Sequence, residues 1–323
     1  MKSMSRFSLR LQIALAFLAI YTIWGSTYLA IRIAIETIPP FLMAGIRFLI
    51  AGAALYLWTR LRGAPTPTRP NWKAATIIGG LLLLGGNGGV VWAEQYVPSG
   101  LTAVLITTVP LWMALLEWKR YDRTRPAVPI AVGLILGFAG VVLLVGPEEL
   151  AGSGAINRVG ATVLILASLS WAIGSLYSRK APLPSSPLQS TAMEMLAGGL
   201  LLSAAGLVSR EWVGFQPSEA SFRSLISLAY LVVFGSLVGF TSYIFLLKAT
   251  TPSKVSTYAY VNPIIAVILG WAIAQEELTL RTIIAASIIV AAVVVITTYR
   301  ATVNHATETA STVKAVQAQP GKK

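Results

Sequence analysis

Residues 11–31, LQIALAFLAIYTIWGSTYLAI, carry no charged side chain, and that run decides what kind of protein this is. A helix rises about 1.5 Å per residue, so about 20 apolar residues cross the ~30 Å hydrocarbon layer of a bilayer. A basic start (Lys2, Arg6, Arg10) precedes the run, as in a signal peptide. The run is, however, far longer than the ~7–15 residues of a signal core. It reads as a first membrane span that is retained.

Comparable runs recur along the chain. Their spacing, with prolines at Pro39, Pro40, Pro126, Pro187 and Pro252 where helices begin, predicts helices near 11–35, 39–59, 72–93, 100–118, 127–146, 159–178, 187–209, 222–247, 253–274 and 282–300. Composition agrees, with 55% of residues hydrophobic and 11% charged, against about 25% charged in a soluble domain. The expected fold class is therefore an all-α polytopic membrane protein with ten transmembrane helices. Residues 1–10 read as a cytoplasmic N-terminus. Residues 301–323, polar and small with no apolar face, read as a disordered cytoplasmic tail.

Orientation follows from the basic residues. Nineteen of the 25 Lys and Arg fall on the side that holds both termini, five on the other, and Arg47 lies within a span. The expected placement is a multi-pass inner-membrane protein with both termini in the cytoplasm. The net charge of +13 resides in short loops between apolar runs, which argues against nucleic acid as a partner. The partners expected are the lipid bilayer and a small-molecule substrate, with a proton as a candidate coupling ion and no obligate protein partner. Cysteine is absent and the single histidine, His305, lies in the tail, so no metal site or cofactor is expected.

The two halves of the chain resemble each other. WGSTYLAIRIA (24–34) lies over WAIGSLYSRKA (171–181) at a shift of 147, and LIAGAALYL (49–57) resembles MLAGGLLLS (195–203). TTVPLWMALLEW (107–118) sits beside YVNPIIAVILGW (260–271), with Pro110 over Pro263. Residues 11–147 and 158–300 then form two repeats of five spans each. Five is odd, so the second repeat enters the membrane from the opposite side. Inverted repeats characterise secondary transporters, whose substrate site lies near the midplane between them.

The run IWGSTYLAIRIAIETIPPFLMAGIRFLIAGAAL (23–55) resembles the opening signature of the EamA family in the drug/metabolite transporter superfamily. Its elements are the Trp-Gly-Ser turn, a basic residue eight positions after the Trp (Arg32 where a lysine is expected), a proline start, and Arg47-Phe48 before small residues. In the second half, Asn262-Pro263 and LGWAIAQEEL (269–278) are similar to the family's features. The first half departs after Pro110, where WKRYDRTRP (118–126) replaces the expected glycine-glutamate ending, so nothing carries over to Glu117. The resemblance implies ten helices in two inverted five-helix repeats. It also implies export of amino acids, related metabolites or drugs by alternating access, with amino-acid exporters, including those for aromatic substrates, nearest in kind.

One stretch is unusual for a helix. LLLLGGNGGVVW (81–92) places four glycines and an amide in an apolar run, although each glycine costs a water-exposed helix about 1 kcal/mol relative to alanine. Gly85 and Gly89 fit a small-xxx-small packing face. Alternatively, the helix is a thin, pliant cavity wall with Asn87 facing the substrate. Both readings can hold on different faces.

Further cavity candidates lie on the repeat-related helices: Thr108 and Trp112, Tyr243, and Tyr258 with Asn262. Trp24, Tyr28, Trp92 and Trp171 complete the set as aromatic residues able to line a pocket for an apolar or aromatic side chain. Each could equally fill space between helices. Pro110 and Pro263 each remove a backbone hydrogen bond, so each helix is expected to kink about midway, which suits gating. Arg47 and Glu194 are charges inside spans, which points to function. They are repeat equivalents, so three roles stay open: an ion pair with each other, an Arg47 site for a substrate carboxylate, and a coupling proton on Glu194.

No catalytic constellation is visible, because the spans hold no histidine and no aspartate. Nor is there a Walker motif. The expected function is secondary active export of small metabolites, amino acids or their analogues first, with a passive facilitator or channel, or an importer, as rivals.

Overall fold

The computed structural model describes residues 2–97, 102, 105–121, 127–145, 157–274, 280–281 and 283–296, and every regular element among them is helical. The tail at 301–323 lies outside the described residues. Helix α1 (Lys2–Ala34) starts well before the predicted boundary at Leu11, its apolar part being Leu9–Ala34. Helix α2 (Pro40–Leu61) begins on a proline, whose missing N–H is one of the unpaired first-turn donors in any case. Gly63, at φ +82°, then turns the chain. Helix α3 (Arg69–Ala93) follows, then α4 (Val109–Leu116) and α5 (Val128–Val145).

In the second half, α6 (Arg158–Ser178) is capped by Asn157, whose Oδ1 accepts from Gly160 N at 2.8 Å. Helices α7 (Pro187–Val208) and α8 (Phe222–Ala249) start at Ser186 and Ser221, serine caps that accept from their own first turns. The short α9 (Pro252–Val255), α10 (Tyr258–Ala274) and α11 (Ile283–Ile296) complete the described elements. Among the described residues six helices, α1, α2, α3, α6, α7 and α8, are long and apolar enough to cross a membrane. Leu15, Leu18, Leu29, Leu57, Leu200 and Phe222 stand exposed on them. Such apolar faces suit lipid and not water.

The predicted repeat has a structural counterpart in how α2 packs on α7. A methyl group on Gly52 would meet Leu196 N at 2.9 Å and Ala192 O at 3.1 Å. One on Gly199 would meet Leu49 N at 2.9 Å and Gly45 O at 3.2 Å. At the shift of 147 these are the same contact made twice, each half's glycine against the other half's backbone. Such reciprocity is that of a local two-fold axis between the helices.

The glycine-rich stretch also finds its explanation. Gly79–Gly88 within α3 is π-helical, and so is Leu231–Phe240 within α8, at a shift of 152. A π turn widens the helix and frees carbonyls, and such turns concentrate at functional sites. Two are satisfied from repeat-related helices: Ser170 Oγ on α6 donates to Leu81 O at 2.8 Å, and Trp24 Nε1 on α1 donates to Gly235 O at 3.1 Å. The glycines permit close approach: a methyl on Gly86 would lie 2.6 Å from the Trp171 ring, and one on Gly89 2.8 Å from Ala167 Cβ. Packing against α6 thus explains one side of the stretch.

The proline expectation needs correcting in detail. Pro110 sits in the first turn of α4, just after a turn at Thr107 and Thr108 that interrupts the helical backbone of residues 105–106, so a break does stand at this proline. Pro263 does lie inside α10, but the chain's break falls earlier, at Ser256–Thr257 between α9 and α10.

Candidate functional site

A cavity of about 660 Å³, counting its space open to solvent, is walled by both halves of the chain. Helix α1 contributes Trp24, Thr27, Tyr28 and Ile31, and α3 contributes Leu83, Gly86, Asn87 and Val90. Each set runs i, i+3, i+4, i+7, one face of a helix. Helix α2 adds Arg47 and Phe48, the approach to α4 adds Ile106 with Val109, and α6 adds Ala167, Ser168 and Trp171. Gly235 and Phe240 of α8 and Tyr258 and Asn262 of α10 close the wall.

An aromatic layer adjoins the cavity. Trp24 packs on Trp171, Tyr243 and Tyr258 with ring centroids 5.7, 5.1 and 4.9 Å apart. Trp171 Nε1 donates to Tyr243 Oη at 2.8 Å, and Ser175 Oγ lies 2.6 Å from the same oxygen. Nearby, Tyr21 Oη and Thr257 Oγ1 are 2.6 Å apart. The Asn262 amide, oriented by its surroundings, donates to Tyr258 O at 3.0 Å and Tyr21 O at 3.2 Å. Tyr21 precedes the cavity-lining residues of α1, while Ser175 and Tyr243 follow those of α6 and α8. The layer therefore lies on that side of the cavity.

Of the residues singled out from sequence, Trp24, Tyr28, Asn87, Trp171, Tyr258, Asn262 and Arg47 meet in this one cavity wall. The others lie elsewhere. Tyr243 is fully buried in the aromatic layer, and Trp92 packs on Tyr96 at 5.1 Å near the end of α3. Thr108 Oγ1 donates back to Leu105 O at 2.7 Å, the usual local use of a threonine hydroxyl. Trp112, whose Nε1 is buried without a hydrogen-bond partner, is not part of the cavity wall.

Of the roles left open for Arg47 and Glu194, an ion pair between them is not formed. Arg47 Nε donates to Ser236 Oγ at 2.8 Å and its Nη1 has no partner, while both Glu194 carboxylate oxygens are buried without hydrogen bonds. Repeat equivalence places two residues at matching positions in the two halves. It brings them into contact only when the two side chains point at each other, and that of Arg47 is turned to Ser236 and Gly235 of α8. Among the described residues an ion pair joins Arg179, just past α6, to Glu117, at the end of α4, at 3.9 Å.

Sequence reading missed Thr27, Ile31, Phe48, Leu83, Ile106, Val109, Gly235 and Phe240. Thr27 and Ile31 could have been found by stepping three and seven positions from Trp24. Glu94 was not among the candidates read from sequence. It stands one residue past α3, half-buried, with both carboxylate oxygens out of solvent and unbonded. Burial pushes its pKa up to about 8, and the Arg32 charge opposes that rise.

Known proteins place the fold. The EamA-like transporter family matches the chain twice, over residues 11–146 and 158–298. An uncharacterized inner membrane transporter of Escherichia coli strain K12, YedA, is 40% identical over 265 residues, 82% of this chain and 83% of its own. An uncharacterized transporter of Bacillus subtilis strain 168, YvbV, is 27% identical over 281 residues, 84% of this chain and 86% of its own. A crystal structure at 20% identity shares the fold with a TM-score of 0.70, covering 88% of this chain and 95% of that one. With matches over both halves and a 40% identical transporter spanning most of its length, the chain belongs to the EamA-like transporter family.

Proposed function

We propose that this protein is a secondary active exporter of small metabolites, amino acids or their analogues with apolar or aromatic side chains first among them. It works by alternating access across the inner membrane. The observation that carries the reading is a cavity whose wall is drawn from α1, α2 and α3 of one half and α6, α8 and α10 of the other. A site shared by two repeat-related halves is what rocking of one half against the other requires. The inner-membrane assignment draws on the basic-residue bias and on the name of the 40% identical relative.

In this reading the chain is ten transmembrane helices in two inverted repeats of five, with both termini cytoplasmic. The cavity then faces outward, and the Trp24, Trp171, Tyr243 and Tyr258 layer closes the cytoplasmic side. Breaks at Thr107–Thr108 and Ser256–Thr257 supply places for the helices to flex. Glu194, buried and unbonded, is the candidate proton carrier.

The test is counterflow of a labelled amino-acid panel in liposomes that hold the purified protein, with and without a proton gradient. Saturable counterflow of at least one amino acid is expected. Its absence across the panel would reject the amino-acid assignment.

A further inference from the structure

Arg47 sits in the cavity wall in an unusual state. It is 3% exposed, yet no carboxylate of the described residues lies within ion-pair distance of it. Its guanidinium is fixed on three sides: Nε donates to Ser236 Oγ at 2.8 Å, one face lies 4.7 Å from the centre of the Phe48 ring, and Nη2 rests on Gly235. A methyl group at Gly235 would fall 2.7 Å from Nη2, so glycine there makes room for the cation. Nη1 is left buried with no hydrogen-bond partner.

A buried cation without a counter-charge is among the costliest arrangements in a protein, more so at membrane depth. Here the helices around it hold it still and leave donors unused. A planar fork of donors fits a carboxylate better than any other small group. On the same cavity wall, Asn87 Oδ1 is also buried without a partner. It can only accept, so it suits an N–H or ammonium group. The same wall carries the aromatic rings of Trp24, Trp171 and Tyr258.

We infer that Arg47 is the anchor for a carboxylate on the transported molecule, with Asn87 Oδ1 accepting from a nitrogen donor of the same molecule and the aromatic wall holding its apolar body. The inference rests on the reading of this cavity as the transport site. It narrows the cargo to carboxylates and excludes their neutral amides and the corresponding amines.

The test uses matched ligands on one frame, read by quenching of intrinsic tryptophan fluorescence in the purified full chain, since Trp24 and Trp171 lie in the wall. The probes are L-phenylalanine, 3-phenylpropionate, 3-phenylpropanamide and 2-phenylethylamine. Wild type is expected to bind the two acids at least about ten-fold more tightly than the amide or the amine. Arg47→Gln should erase that preference and Arg47→Lys should restore part of it. Should Arg47→Gln fail to fold, the ranking on wild type decides alone.

Equal binding of acid and amide, or no binding of either acid, would overturn the Arg47 anchor. Binding of 3-phenylpropionate with no binding or counterflow of any amino acid would support the anchor and reject the amino-acid reading. Amino-acid counterflow with amides competing as well as acids would do the reverse.

Discussion

Trp24 and Trp171, 147 positions apart in the chain, meet edge to face with ring centroids 5.7 Å apart and planes at 81°. They stand at matching positions of the two stretches that match the family, and they touch where α1 meets α6 beside the cavity. Each indole also bonds across a helix boundary, Trp24 to Gly235 O and Trp171 to Tyr243 Oη. The layer beside the cavity is therefore tied to α8 from both halves, so that moving one half against the other must disturb it.

That layer can be loosened one bond at a time. Tyr243→Phe removes the oxygen that joins Trp171 to Ser175 and is expected to cost about 1–2 kcal/mol, since hydrogen bonds inside membranes contribute about 0.6 kcal/mol on average and rarely more than about 1.7. Ser175→Ala should cost less, because the Ser175 hydroxyl also bonds back to Trp171 O at 2.6 Å and its loss leaves the Trp171 to Tyr243 bond intact. Thermal midpoints in detergent give the order. A larger loss for Ser175→Ala would contradict the geometry.

Two neighbouring glycines separate packing from propensity. A methyl on Gly79 would lie 2.7 Å from Glu194 O and from Gly198 N, whereas one on Gly80 comes no closer than 3.5 Å to Leu201. Gly79→Ala should therefore destabilise by about 1–3 kcal/mol through overpacking of α3 on α7. Gly80→Ala should be neutral or slightly stabilising. Equal effects of the two would mean that the α3 to α7 contact is not as close as described.

Glu94 gives a pH signature. Its pKa rises from 4.5 to about 8 in the folded protein because its carboxylate is out of solvent, with Arg32 as the opposing charge. The native state thus holds its proton more tightly than the unfolded chain does. That contribution to stability is complete below pH 4.5 and is lost as pH climbs toward about 8. Glu94→Gln should flatten the fall of the thermal midpoint between about pH 5 and 8, leaving the variant the more stable protein at the upper end. Parallel slopes for variant and wild type would refute the assignment.

Glu194 bears on coupling. In the proposed mechanism Glu194→Gln abolishes the effect of a proton gradient on uptake while leaving counterflow of the same substrate in place. Measurements of both on one preparation separate coupling from folding. A gradient effect of wild-type size in the variant would remove Glu194 from the mechanism.

How far the sequence could be read depended on the kind of signal. The register of 147 was legible because identical residues recur in it, and Trp24 with Trp171 and Gly52 with Gly199 fall where it says. The α1 face was legible in part, from Trp24 and Tyr28. Ile106, Val109 and Phe240 were not, because on a membrane helix an apolar side chain suits lipid and protein alike and so does not reveal its face. The Arg47 to Glu194 pair misled for a different reason. Equivalence between two repeats matches positions along two helices and leaves open whether the side chains point at each other, and Arg47 is turned to Ser236 of α8. The π turns in α3 and α8 had only an indirect trace, the run of glycines in one half, with LVVFGSLVGF (231–240) in the other giving little sign.

The most direct test of a carrier with one central, alternately exposed cavity uses the absence of cysteine from the chain. Thr27 lies in the cavity wall and its hydroxyl bonds only to its own helix, at Trp24 O, so Thr27→Cys introduces a lone thiol at little structural cost. A membrane-impermeant thiol reagent is applied from each side in turn, with and without the amino acid that gives counterflow. The account predicts labelling from the outer side without substrate, slower outer labelling at saturation, and labelling from the cytoplasmic side that appears only when substrate is cycling. Labelling that is the same with and without substrate, from either side, would contradict it.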